Sequence, residues 1–135
     1  METKKFVAVL NKKIETWKAM NALAHMTVGM TWTVEDDMWI IDYKDKDNST
    51  HIASKYPYII LRAKNSNQIR TLRNNLITKW IPFASFTEAM TIWTWQEQVE
   101  KSKLIPQEEL EYYWICMFWD KNDLDELTKK FSLWL

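Results

Sequence analysis

Hydrophobic and polar positions along this chain switch repeatedly between a strand-like and a helix-like period. Phe6-Val7-Ala8-Val9-Leu10 is a short apolar run with two valines, which predicts a buried strand. Asn11 to Glu15 is a polar turn, and Trp17 to His25 then reads as helix. At about 100° per residue, Lys18, Asn21, Ala22, His25 and Gly29 share one face. Trp17, Met20, Ala24, Thr27 and Val28 share another, which is expected to face the core. The first face sets an ammonium, an amide and an imidazole beside two very small residues, and so predicts a hollow above it.

Further along, Met38 to Tyr43 reads as a second strand, followed by a charged turn over Lys44 to Ser49. That turn begins like a calcium loop but lacks the required glycine and closing glutamate, so it reads as solvated. His51 to Ser54 is a short edge strand, and Pro57 opens the run Tyr58 to Ala63, which looks buried on both faces. Asn65 or Ser66 caps a helix whose Ile69, Leu72, Leu76 and Ile77 point inward and which stops near Lys79, ahead of Pro82. Phe83 to Phe86 is a strand end, and Thr87 to Thr91 a turn or a single helical turn.

Trp93 to Ile105 is amphipathic only in places and predicts no single element. Pro106 to Leu110 starts like a helix, with proline first and acids near the positive end. Tyr112 to Phe118 is a central strand, Asp120 caps a last helix with Leu124 and Leu127 inward, and Phe131 to Leu135 closes the sheet as an edge. Strands and helices in this order predict an α/β class, one domain over residues 1–135 with helices on both faces of a mixed sheet.

Composition changes this picture at three points. Eighteen basic and eighteen acidic residues cancel, so no global field draws the chain to nucleic acid or an anionic membrane. No apolar run approaches the ~20 residues that span a bilayer, and no secretory leader is evident, so a cytoplasmic protein without a membrane partner is expected. A lone cysteine, Cys116, excludes an internal disulfide and reads as a buried hydrophobe. Two histidines and no glycine-rich loop leave no basis for a metal, nucleotide or other cofactor. The chain also holds one glycine and nine tryptophans. At ordinary usage a chain of this length carries roughly nine glycines.

Several stretches together resemble a known group: Leu10-Asn11-Lys12, Trp17 to His25, Tyr58 to Lys64, Gln68 to Arg73 and Leu127 to Trp134. They are similar to an uncharacterised bacterial family that shares the fold of type II peptidyl-tRNA hydrolases. The resemblance runs from Lys5 to Trp134. It implies a three-layer α/β/α sandwich with a four- or five-stranded mixed sheet, and commonly a homodimer.

Activity does not follow from fold alone. In the hydrolases the first helix begins Lys-Gly-Lys and continues to a glutamine and then a histidine. The matching positions here are Thr16, Trp17, Lys18, Ala22 and His25, so Lys18 and His25 are retained while the first lysine and the glutamine are not. An Asp-Ala-Gly motif of the hydrolases corresponds to Glu88-Ala89-Met90, where Glu88 stands for the acid and the glycine is missing. Trp80 and Trp119 stand where both families hold glycine, and Trp114 and Trp93 where the uncharacterised family prefers it. After a helix end such an exchange costs about 1–2 kcal/mol. We therefore expect some of these tryptophans to be engineered, or to reflect an error in the recorded sequence.

The candidate site follows from these readings. His25 is the expected general base or hydrogen-bond donor, with Lys18 beside it. Asn21 shares the binding of a carboxylate or phosphate near the positive helix end. Arg62 ends a central strand, where open α/β sheets bind ligands. Thr87 and Glu88 enter through the hydrolase motif. Arg70 and Arg73 fit either RNA phosphates or the wet face of a helix. The first functional reading is a small anionic ligand bound over the first helix. The second is hydrolysis of peptidyl-tRNA, with the tRNA end as ligand. The third is a non-catalytic binding or assembly module.

Overall fold

The structure, a computed structural model, describes residues 3–36, 39–91 and 94–134. The chain builds β1 (Lys4–Asn11), α1 (Thr16–Met30), β2 (Ile40–Lys44), β3 (Thr50–Ser54), β4 (Tyr58–Ala63) and α2 (Ser66–Thr78). It continues with β5 (Phe83–Thr87), α3 (Trp95–Lys103), β6 (Tyr112–Asp120), α4 (Lys121–Thr128) and β7 (Ser132–Leu133). Five strands form one mixed sheet in the order β5-β6-β1-β4-β7. β1 runs parallel to β4 and antiparallel to β6, while β5 and β7 add antiparallel edges.

β1 is central because both of its faces are apolar. Alternation sends Val7 and Val9 to the side covered by α2 and α4, and Phe6, Ala8 and Leu10 to the side covered by α1. Ile69, Leu72 and Leu76 of α2 and Leu124 of α4 complete the first core. Ala19, Ala22, Met26 and Met30 of α1 complete the second, with Trp114, Cys116 and Phe118 of β6. Helices thus cover both faces of the sheet.

The buried stripe of α1 is not the one its sequence suggested. Trp17, Met20 and Val28 are exposed, Ala24 is exposed, and only Thr27 is half-buried. The helix instead lays the small side chains of Ala19 and Ala22 against the sheet. Alanines on several faces made the periodicity ambiguous, and close approach of the backbone selected the narrowest ridge. Ile77 of α2 is likewise exposed, outside the stripe formed by Ile69, Leu72 and Leu76.

Capping followed side-chain chemistry. The Asn65 side chain accepts from the Gln68 amide at 3.0 Å, and that of Asp120 accepts from the amides of Asn122 and Asp123. Thr94 does the same for Glu97 at the head of α3, a helix the sequence pattern did not resolve. Trp93 and Met38 lie outside the described residues. Pro106 to Leu110 makes a 3-10 turn at Gln107–Glu109 in place of the expected helix. Leu135 also lies outside the described residues, so the closing edge is the short β7.

The second strand and its neighbour do not join the main sheet. Among the described residues β2 and β3 pair only with each other, and Ile40, Tyr43 and Ile52 are exposed. Lys44 pairs with Asp42 across 3.1 Å, and His51 with Asp45 across 2.9 Å. Asp42 and Lys44 interrupt β2, and the polar Thr50, His51 and Ser54 interrupt β3, so neither offers the continuous apolar face a buried position needs. β4 is only half-buried over Tyr58 to Ile60, because the two-residue β7 covers it at its far end alone.

Candidate functional site

A cavity of about 590 Å³ opens between α1, the β5–β6 edge of the sheet and the α3 segment. Lys18, Asn21, His25 and Gly29 line it from successive turns of α1. A Cβ added at Gly29 would meet nothing within 4 Å, so this wall stands clear of its neighbours. Ala84, Ser85 and Phe86 of β5 line the side of the cavity opposite the helix, Ala84 and Phe86 with their side chains turned toward α1, and Gln98 of α3 and Thr91 complete the lining.

Its floor is aromatic, and a bulge makes it so. Phe86 pairs with Trp114 and Thr87 with Tyr112, leaving Tyr113 as the extra residue on β6. The extra residue breaks the alternation, so Tyr113 and Trp114 both belong to the α1 side while Tyr112 turns to the opposite core. Phe86 stacks on Trp114 at 5.5 Å, and Tyr113 tilts against Trp114 at 5.3 Å. The buried indole nitrogen of Trp114 has no hydrogen-bond partner among the described residues. Burial pushes the Tyr113 phenol above its usual range; Glu111 and Glu88 push the same way, and Lys18 pulls against them.

Lys18 is half-buried, and its ammonium lies 3.3 Å from Glu15 and 5.5 Å from the centroid of the Trp17 ring. The Trp17 N–H donates to Glu15 at 2.7 Å. That bond, and then Lys18, hold the Glu15 carboxyl below its usual range. Glu15 itself does not line the cavity; among the described residues no carboxylate does. His25 is exposed at the wall, and no hydrogen bond holds its imidazole among the described residues. The lining therefore offers a cation, an amide, an imidazole and hydroxyls over an apolar floor, a set suited to a small anion with an apolar part.

The other sequence candidates are placed elsewhere. Thr87 is buried at the end of β5, and Glu88 opens the 3-10 turn that follows; neither lines the cavity. Alternation along β5 is the reason for Thr87: Ala84 and Phe86 turn toward α1, so Thr87, opposite Tyr112, turns to the other face. Arg62 lies on β4, beyond β1 from the β5–β6 edge, and does not reach the cavity either. Arg70 donates to the carbonyls of Gln107 and Leu110 and lies over the Tyr112 ring, so it pins the chain entering β6. No cluster of three potential metal ligands occurs among the described residues. No helix among them is long and apolar enough to cross a membrane. Tyr113, Ser85 and Gln98 went unread in the sequence. A bulge leaves no local mark in an apolar strand.

The fold and cavity together define a mixed α/β domain with a five-stranded sheet and a ligand-sized hollow beside its first helix. Over residues 4–135 the chain matches the family described as "Protein of unknown function (DUF2000)", and it belongs to that family. Among solved structures it is similar to the protein of unknown function Atu0240 from Agrobacterium tumefaciens strain C58. The TM-score is 0.85 at 15% identity, with all of both chains covered, which establishes a shared fold. No curated protein matches the chain.

Proposed function

We propose that this protein is a binding domain of the type II peptidyl-tRNA hydrolase-like architecture that holds a small anionic ligand over α1. The observation that carries this reading is the placement of Lys18, Asn21 and His25 on one wall of the cavity, with no carboxylate lining it among the described residues. A cationic, carboxylate-free wall favours anions, and a volume near 590 Å³ falls within the range of small-molecule sites. Lys18 anchors the charge in place of its exposed partner Glu15, Asn21 orients the anion, and His25 donates to it. The aromatic floor takes an apolar substituent.

Hydrolysis of peptidyl-tRNA gains no support from the position of Glu88, which stands away from the imidazole's cavity. The proposal extends to a cytoplasmic homodimer, which light scattering of the purified chain tests. For the ligand, the probes are inorganic phosphate and acetate, followed by NMR of the His25 side chain. Saturable shifts that weaken at least tenfold in Lys18→Ala are the expected result. No saturable shift with either anion would overturn the reading, and turnover of peptidyl-tRNA abolished by His25→Ala would replace it with the hydrolase.

A further inference from the structure

The end of α2 is closed by two backbone bonds, from the Trp80 amide to the Ile77 carbonyl at 3.1 Å and from the Ile81 amide to the Leu76 carbonyl at 3.0 Å. Ile81 and Leu76 pack together in the core below. This is a Schellman closure, and it needs a left-handed residue just past the helix cap. That residue is Trp80, with φ 58°. Among the described residues the only other non-glycine at positive φ is Asn48, a type that tolerates this conformation. Tryptophan does not, and its ring gains no packing here, since Trp80 is 90% exposed.

The same mismatch recurs in milder form. Trp17, Trp32 and Trp95 are 65%, 79% and 69% exposed, although tryptophan is on average a well-buried residue. The single glycine, Gly29, sits inside α1 without positive φ. At position 80 the backbone itself calls for glycine; at positions 17, 32 and 95 the sign is an exposed tryptophan in a chain short of glycine.

One chemical route gives this pattern. The UGA triplet is a stop signal in the standard genetic code, is decoded as tryptophan in some organisms and is decoded as glycine in others. A gene that writes glycine as UGA yields tryptophan at each such place when read by the tryptophan rule. We infer that the protein made in its own cell carries glycine at position 80, and at the exposed positions 17, 32 and 95, through UGA codons decoded as glycine. Position 17 lines the mouth of the cavity, so glycine there widens the approach to Lys18. The inference stands apart from the ligand reading, because it rests on α2 and on composition.

The test is the gene and the peptide. Codon 80 is expected to be UGA, and the tryptic peptide that begins after Lys79, taken from the protein of the source organism, is expected to start with glycine by tandem mass spectrometry. A UGG codon at position 80 overturns the inference, and so does a native peptide that starts with tryptophan. UGG at positions 17, 32 and 95 with UGA at 80 would overturn its extension to the exposed set.

Discussion

The hydroxyl oxygens of Thr27 and Tyr58 lie 2.7 Å apart and tie α1 to β4. Thr27 donates its only hydroxyl proton to the Leu23 carbonyl at 2.8 Å, so Tyr58 must donate to Thr27. The Tyr58 oxygen then accepts from the Cys116 thiol at 3.3 Å. A short directed chain runs from β6 through β4 into the helix that carries Lys18 and His25. Thr27→Val keeps the shape but removes the acceptor for Tyr58. We expect it to lower stability by about 1–2 kcal/mol in denaturant unfolding, the usual cost of a donor left unpaired in a partly buried place.

Cys116 gives that chain a pH dependence. Burial pushes its thiol up to about 11 from an ordinary value near 9. The folded protein therefore keeps the proton where the unfolded chain has lost it. Stability is fully present below about pH 9 and falls as pH rises toward 11. The loss is of order 2 kcal/mol. Burial pushes the Tyr58 phenol up as well, which adds to the fall. Unfolding midpoints measured from pH 8 upward should decline less steeply in Cys116→Ala than in the parent; equal slopes would assign the fall elsewhere.

Trp80→Gly should stabilise the domain by about 1 kcal/mol. It relieves roughly 1–2 kcal/mol of left-handed strain and loses up to about 1 kcal/mol through a freer unfolded chain. No packing is given up at a side chain this exposed. Trp80→Ala keeps the Cβ and hence the strain, so its stability should match the parent. Paired urea titrations of the two variants decide the matter, and equal midpoints for glycine and alanine would show that the backbone there is not strained.

Elements whose chemistry is local were legible in the sequence. Phe6 to Leu10, Tyr58 to Ala63 and Tyr112 to Phe118 announce themselves as strands by apolar runs, and Asn65 and Asp120 mark helix starts by their side-chain acceptors. Of the row Lys18, Asn21, Ala22, His25 and Gly29 read from helical spacing, the fold sets all but Ala22 against the cavity, and Ala22 is buried against the sheet. Two kinds of feature were not legible. The face α1 buries depends on how closely its alanines let it approach the sheet, which no period encodes. The position of Tyr113 depends on a register shift between β5 and β6. Such a shift is a property of the pair of strands and is written in neither one. Pairing of β2 with β3 alone is similar, since both read as strands and their polar interruptions deny each the apolar face a place in the sheet needs.

Asp125 on α4 receives Lys121 at 2.6 Å and the nearly buried ammonium of Lys5, from β1, at 2.5 Å. Lys121 and then Lys5 hold its carboxyl below the usual range. The folded state thus favours the ionised acid, and this contribution is present above the ordinary carboxylate range and is lost as pH falls below it. The two lysines differ in what they lose with their partner. Asp125→Ala strands Lys5 among apolar neighbours and should cost about 1–2 kcal/mol, whereas Lys121→Ala breaks an exposed helical pair and should cost less than about 0.5 kcal/mol. Thermal melts at neutral pH separate the two, and equal shifts would mean that Lys5 finds water without its partner.

The sign of the charge in the cavity is open to a direct test at Asn21. This residue lines the wall beside Lys18 and is exposed, so replacing its amide by a carboxylate leaves the folded core untouched. Asn21→Asp puts a negative charge into a lining that holds none among the described residues. At the effective dielectric of a partly exposed site, a like charge a few ångströms from a bound anion costs about 1–2 kcal/mol or more, which is roughly a tenfold loss in affinity. Phosphate and acetate titrations of Asn21→Asp should show that loss with an unchanged melting temperature. The neutral variant Asn21→Ala should lose less, because it removes one hydrogen bond and adds no repulsion. If Asn21→Asp binds as the parent does, the anion does not sit on this wall, and Lys18 serves only to pair with Glu15.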